Sequence, residues 1–443
     1  MYKIYQAIKE HASNPCVKAY MPGHKGSKDF NNLFPIATLD TTELEINGVV
    51  GAVKSAEEDL ARLLCVPFLR LLCNGSTSGV LSIMYAVKNR GKKIIINKDA
   101  HRSIYNALEI CGIEPIIIGG ELENGLSKLI TTADIKDALK KNTNVIGAFL
   151  TYPDYYGRCF DIESVSDFLQ SENKLLLIDG AHGAHFNFLT GLKRAASCAD
   201  FGVESAHKTL CSLNQGSYCY CKEEFKESLD SAVNKFVSSS PSYPILASIE
   251  YGLKAYDRNK AYKVIGYINV VKGVLKKYDF GYLESADPLK LTIDFYGYDI
   301  KSVMNIFEKK KIYAELVGDR YALFMFSTEN EKKDFTKIIK AIKLVNKKFE
   351  KRAGVTLNTA FKKSKSVGFL TAKKAIEEFV PLENCEGRIS KEEVGITPPS
   401  FPVIISGEII TKEKIDFLVN AFNLGKELFG VSDGKIKVVK DEK

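Results

Sequence analysis

Two stretches of this sequence end apolar runs with groups that can do chemistry. Asp200-Phe201-Gly202-Val203-Glu204 leads into Ser205-Ala206-His207-Lys208-Thr209-Leu210, and Lys174-Leu175-Leu176-Leu177-Ile178 leads into Asp179-Gly180-Ala181-His182-Gly183-Ala184-His185-Phe186. Each apolar run has the length and composition of a buried strand, so an amine (Lys208) and a carboxylate (Asp179) both stand just beyond strand ends. A lysine amine can form a Schiff base with an aldehyde, and a carboxylate can keep a pyridinium nitrogen protonated. Pyridoxal phosphate needs both partners to act as an electron sink. Lys208 alone would read as one more solvated surface lysine. The flanking strands and the neighbouring histidines argue for the chemical reading.

Of the six histidines, five (His24, His101, His182, His185 and His207) fall in short segments rich in Gly, Ala or Ser. A further segment, Asn74-Gly75-Ser76-Thr77-Ser78-Gly79, lies between an apolar strand, Leu69 to Cys73, and a helical pattern from Val80 to Lys88. Small hydroxyl residues at a helix start gather N–H and O–H donors at the positive end of the helix dipole, which suits a phosphate. An ordinary N-cap uses the same residues, and this stretch alone leaves the two readings open.

Met21-Pro22-Gly23-His24-Lys25-Gly26, Asn74 to Gly79, Asp179 to Phe186 and Ser205 to Leu210 together resemble, in order, the signatures of the bacterial ornithine/lysine/arginine decarboxylases, and weaker similarity extends from about residue 1 to about residue 410. The resemblance implies an α/β, aspartate-aminotransferase-like (fold type I) architecture. Its large pyridoxal-phosphate domain carries a mainly parallel sheet of seven-stranded type, followed by a smaller α+β C-terminal domain. The implied reaction is decarboxylation of lysine, arginine or ornithine to cadaverine, agmatine or putrescine.

The implied catalytic residues are Lys208, Asp179 and His207. The implied cofactor contacts are Gly75, Ser76, Thr77, His101, Asp179, Ala181, His182, Ser205, His207 and Lys208, with His101 and Ala181 on opposite faces of the pyridine ring. Ser239, in Ser238-Ser239-Ser240-Pro241, would reach the cofactor phosphate of a neighbouring subunit, which implies a homodimer or tetramer with shared active sites. The loop at His24 would lie near the active site and the subunit interface. The chain begins almost at the first signature, so the response-regulator-like N-terminal domain of the larger enzymes is expected to be missing.

The sequence departs from the family where a side chain would be read. Gly180 stands where a Glu is usual, the Pro-rich signature is here Thr397-Pro398-Pro399-Ser400-Phe401-Pro402, and Leu39 to Ala52 matches poorly beyond Thr42-Glu43. Glu408 and Glu43 are the first candidates for holding a distal amine or guanidinium. Another pyridoxal-phosphate reaction remains open, because fold and cofactor do not fix chemistry. An aminotransferase would want an arginine for the α-carboxylate, for which Arg388 is the candidate. A cofactor-binding paralogue without turnover is a third reading.

The elements that must position these residues follow from periodicity. Helices are expected at 3 to 12, 54 to 65, 101 to 111, 133 to 141, 161 to 170, 223 to 236 and about 245 to 262. Strands are expected at 92 to 97, 114 to 118, 145 to 150, 175 to 178 and 218 to 221. This alternation calls for a mainly parallel sheet covered on both faces, with the motif residues at its carboxyl ends. Beyond about residue 270 strands and helices mix in an α+β pattern, and 351 to 366 reads as a basic linker. The expected divisions are 1–50 (helix and interface loop), 51–265 (cofactor domain) and 266–443 (small domain).

At 443 residues, more than one domain is expected. The net charge of +8 comes from lysines dispersed along the chain, which gives nucleic-acid binding little support. There is no signal-peptide core or membrane-length apolar run, so no membrane partner is expected. The ten cysteines lack any Cys-x-x-Cys pair, consistent with reduced thiols in the cytoplasm and no metal site.

Overall fold

Strands and helices alternate as the sequence requires, and they gather into two compact units, each made of separate segments: 1–87, 176–262 and 327–329 in the first, 88–175, 263–326 and 330–443 in the second. The computed structural model describes residues 1–13, 17–42, 48–120, 122–123, 126–351, 364–397, 401–423 and 426–441. Glu43, Pro398 to Ser400, Pro15 and most of the expected linker (352–363) lie outside the described residues.

In the first unit the strands run in the order Phe68–Leu72, Ser217–Cys221, Phe201–Glu204, Leu175–Asp179. The first two pairings are antiparallel and the last is parallel, with Asp179 opposite Val203. All four residues of Phe201–Glu204 and all five of Ser217–Cys221 are buried, as expected of strands covered on both faces. The helix Gly75–Val87 packs so closely on this layer that a Cβ at Gly79 would come within 2.6 Å of Val203 Cγ2 and 2.9 Å of Leu72 Cδ1. Only glycine fits there.

The opposite layer buries Ile4, Ile8, Leu60, Leu64, Tyr218, Tyr220, Leu246 and Ile249 in one apolar cluster. It joins the helices Lys3–Ser13, Val49–Leu64 and Tyr243–Lys254 to the sheet. Ile4 and Ile8, one turn apart, are the buried stripe of the first helix.

That helix is capped from far away in the chain. The fully buried Glu250 accepts hydrogen bonds from the backbone N–H of Lys3 (2.8 Å) and Ile4 (2.9 Å) and from Lys254 Nζ (2.8 Å). Its carboxylate thereby satisfies amides that a helix start leaves open and favours the dipole. We expect Glu250→Ala to cost about 2 kcal/mol, because it leaves the Lys3 and Ile4 amides without their acceptor and takes one partner from the half-buried Lys254. The midpoint of urea unfolding would register the loss, and Glu250→Gln would lose less.

Asp59 joins this network through Lys3 Nζ at 2.7 Å and Lys254 Nζ at 3.2 Å. The hydrogen bond from Lys3, reinforced by Lys254, lowers its carboxyl from 3.8 to about 2. A depressed carboxylate stabilises the fold above its unfolded value and loses that contribution as pH falls. Acid titration of the folded protein should therefore show a drop in stability between about pH 4 and 2 that Asp59→Asn reduces.

In the second unit Val145–Thr151, Lys93–Asn97 and Glu114–Ile118 lie in that order and all parallel. The two units thus carry the four and three strands of the expected mainly parallel set. The second unit adds the antiparallel sheet Gly281–Leu283, Lys290–Asp294, Tyr321–Met325, Leu316–Val317. Two three-stranded antiparallel sheets follow: 377–381, 435–439 and 431–432 form one, and 401–404, 394–397 and 427–429 the other.

Three helices differ from expectation, and the one expected at 54 to 65 begins earlier, at Val49. The run from 245 to 262 is broken into Tyr243–Lys254 and Arg258–Lys277, because Asp257 Oδ1 accepts from the amides of Asn259 and Lys260 and starts a new helix. The helix expected from Val80 begins at Gly75, so Ser76, Thr77 and Ser78 form its first turn. No helix among the described residues is long and apolar enough to cross a membrane.

Candidate active site

Lys208 lies on the short helix Ala206–Thr209, delivered by the strand Phe201–Glu204. Its Nζ is 3.4 Å from His182 Nε2. His182, 6% exposed, sits on the loop after Leu175–Asp179, the parallel neighbour of the lysine's own strand. Asp179 ends that strand, is 3% exposed, and accepts a hydrogen bond from the Ala181 amide at 3.2 Å. The carboxylate and the amine therefore emerge at the carboxyl ends of adjacent parallel strands, where open α/β sheets hold their ligands.

Ser205 is fully buried, and its hydroxyl donates to Ser76 Oγ at 3.0 Å. This bond joins the lysine segment to the first turn of Gly75–Val87. Gly75 has φ +73°, a conformation that favours glycine, and a Cβ there would meet no atom within 4 Å. An open notch thus faces the helix start, whose first amides have no partner within the helix.

His207 Nδ1 lies 2.8 Å from the carbonyl of Gly216. A carbonyl can only accept, so the proton is on Nδ1 and Nε2 is the basic nitrogen.

Sequence reasoning passed over the hub of this arrangement. The Gly216 carbonyl also accepts from the His207 amide at 3.1 Å, and the Gln215 carbonyl accepts from the Gly75 amide at 2.9 Å. Residues 215 and 216 therefore tie the lysine helix to the helix start. The dipeptide Gln215-Gly216 before a buried strand was a turn signal that could have shown it.

Glu204 was also missed. It is 1% exposed and bonded to Tyr218 Oη, to Tyr220 Oη at 3.1 Å and to Asn187 Nδ2 at 2.7 Å. Burial pushes its carboxyl above the usual range, against the hydrogen bonds from Tyr218, Tyr220 and Asn187.

The other sequence candidates stand as follows. Thr77 and Ser239 are exposed, and the Ser238 amide of the serine loop donates to Asn74 Oδ1 at 3.4 Å. Ala181 is 7% exposed on the Asp179 loop. His24 stacks on Phe30, and its Nε2 lies 3.4 Å from Asp40 Oδ2. In the second unit His101 caps Arg102–Cys111, its Nδ1 accepting from the Ser103 amide at 3.2 Å.

Glu408 is held by Lys414 Nζ at 2.7 Å, a lysine only 1% exposed, and by the Ile405 amide at 3.1 Å. Arg388 pairs with Glu378 and with Asp441, and donates to the Val439 carbonyl at 2.9 Å. Both groups are thus committed within their own unit. Among the described residues no group of His, Cys, Asp and Glu is arranged to hold a metal ion.

With this geometry in hand, residues 3–277 match the model of the Orn/Lys/Arg decarboxylase major domain, and residues 343–434 match that family's C-terminal domain. The chain belongs to the Orn/Lys/Arg decarboxylase family. Among relatives of this family, a Bacillus subtilis protein called YaaO, itself uncharacterized, is 28% identical across 96% of this chain and 95% of its own length. An arginine decarboxylase of Bacillus subtilis is 27% identical across 99% of this chain and 98% of its own. The constitutive lysine decarboxylase of Escherichia coli has a solved structure that matches 99% of this chain and 82% of its own with a TM-score of 0.81, at 18% identity. The aspartate-aminotransferase-like α/β fold expected of the Orn/Lys/Arg decarboxylases is the fold of this chain.

Proposed function

We propose that this protein is a pyridoxal-phosphate-dependent decarboxylase of a basic amino acid, with arginine as its first substrate candidate. The observation that carries the reading is the emergence of Lys208 and the buried Asp179 at the carboxyl ends of adjacent parallel strands, with His182 Nε2 3.4 Å from the amine. The site fits the cofactor: an amine beside a histidine, a buried carboxylate, and a hydroxyl-lined helix start at Gly75 with open space before it.

When bound, pyridoxal phosphate supplies the electron sink for the bond pair released as the α-carboxylate leaves as CO2. The chain's own residues do the rest. Lys208 Nζ would bind the cofactor aldehyde, His182 would hold or pass a proton at that nitrogen, and Asp179 would keep a proton on the ring nitrogen. Ser76, Thr77 and Ser205 would carry the phosphate, and Ala181 would lie against the ring. His207 Nε2, basic because Nδ1–H is tied to Gly216, is a proton carrier for the α-carbon.

Arg388, already paired with Glu378 and Asp441, gives no support to an aminotransferase reading. Arginine leads because the Bacillus subtilis arginine decarboxylase matches this chain from end to end. CO2 release from arginine, lysine and ornithine, each with and without added pyridoxal phosphate, tests the proposal. Cofactor-dependent release from arginine is expected, and cofactor binding with no release from any of the three would overturn it.

The active unit is proposed to be a homodimer, with Ser239 serving the neighbouring subunit's phosphate. Exposed apolar residues on the segment around the His24 loop favour this: Val17, Met21, Leu33, Phe34 and Ile36 are 91%, 58%, 76%, 53% and 49% exposed.

A further inference from the structure

The strand end at Glu204-Ser205 is a fork. Ser205 donates on one side to Ser76, at the start of the helix that would carry a phosphate. Glu204, on the opposite side, takes Asn187 Nδ2 at 2.7 Å, and the same amide reaches the Ala184 carbonyl at 3.1 Å. Ala184 to Asn187 form the single turn that closes the loop beginning at Asp179 and carrying Ala181 and His182. Four residues beyond Glu204 stands Lys208.

One buried carboxyl therefore spans the lysine segment and the loop whose histidine lies 3.4 Å from the lysine. Tyr218 and Tyr220, on the next strand, donate to the same carboxyl and fix its rotamer. No reaction step assigned to the site uses Glu204. An apolar side chain would fill this place with less desolvation, so the carboxyl needs a reason to be there.

We infer that Glu204 is a positioning residue that acts through Asn187: it fixes the Asp179–His182 loop against the Lys208 helix and so sets the distance between His182 and the reactive amine. The link works by accepting hydrogen bonds. A glutamine oxygen can keep the bond from Asn187 while its amide donates to a tyrosine hydroxyl, whereas alanine leaves the buried Tyr218 and Tyr220 hydroxyls without their acceptor and cuts Asn187 from the strand.

This inference rests on the proposed decarboxylase reading for its consequence but not for its test. Three variants, Glu204→Ala, Glu204→Gln and Asn187→Ala, would be compared with the unaltered protein by two measurements. The first is amide hydrogen exchange over residues 180–187 in cofactor-free protein, and the second is the dissociation constant for pyridoxal phosphate.

Asn187→Ala is expected to raise exchange in that segment by about tenfold and to weaken cofactor binding by about tenfold, while the strands 201–204 and 217–221 stay protected. Glu204→Gln should restore both values to within about threefold of the unaltered protein. Asn187→Ala cuts the same link from the loop side and leaves the tyrosines paired, so the result stands even where Glu204→Ala does not fold. Unchanged exchange in Asn187→Ala overturns the inference, and so does a Glu204→Gln variant as impaired as Asn187→Ala. Failure of the unaltered protein to bind the cofactor would instead sink the decarboxylase reading, and the exchange measurement would still decide the link.

Discussion

Borohydride reduction of the purified protein should fix one pyridoxyl phosphate group on the tryptic peptide containing Lys208, and Lys208→Ala should abolish that adduct. The same substitution is expected to lower CO2 release by about ten-thousand-fold or more, the scale seen when a residue acting as a covalent unit is removed. The effect is large because no neighbour can take the lysine's place. His182 Nε2 lies 3.4 Å away, and an imidazole does not form a stable Schiff base.

The variant should nonetheless fold. Lys208 is half-buried on a four-residue helix, and that helix is held by backbone bonds from the Leu210 amide to the Ala206 carbonyl (2.8 Å) and from the His207 amide to Gly216 (3.1 Å). Lys208→Arg keeps the charge but presents a guanidinium that stays protonated, so it should fail equally. An unaltered protein that shows no adduct at Lys208 would remove the cofactor assignment.

The residues proposed to carry this chemistry are legible in the sequence because they sit in local patterns. An apolar run followed by a polar turn marks the strand ends at Asp179 and Ser205, and a Gly-Ser-Thr-Ser run marks a helix start, whatever the rest of the chain does. Where longer-range contacts decide, the sequence was silent. Glu204 closes a strand run with nothing to mark it as a hub, yet it is 1% exposed and accepts from Tyr218 and Tyr220, which stand beside it on the antiparallel neighbour. Nothing nearby in sequence announces that pairing.

Glu408 looked like a carboxylate available to a substrate, but Lys414, six residues further on, is buried against it. The break between Lys254 and Arg258 hides inside a continuous helical pattern, since Asp257 competes for amides that the pattern assigns to one helix. Side chains whose role is to accept from distant donors are those that periodicity cannot place.

Asp179→Asn separates geometry from charge at this site, and we expect it to reduce turnover by about a thousand-fold. The loop should survive the change. Asn keeps an oxygen to accept from the Ala181 amide, the bond that Asp179 Oδ1 makes at 3.2 Å, and it has nearly the same volume in a position 3% exposed. What is lost is the negative charge proposed to hold a proton on the ring nitrogen. A neutral amide can donate to an unprotonated pyridine nitrogen but cannot favour the pyridinium, so the electron sink is weakened at the step that releases CO2.

The loss should therefore fall on kcat, with KM changed by no more than about threefold. The borohydride adduct at Lys208 should still form, since the aldehyde and the amine are untouched. Equal losses in kcat and in adduct formation would mean that Asp179 holds the cofactor in place without tuning it. An Asp179→Asn variant with near-normal turnover would show that the ring nitrogen needs no proton here, and the decarboxylase reading would then rest on Lys208 and the family alone.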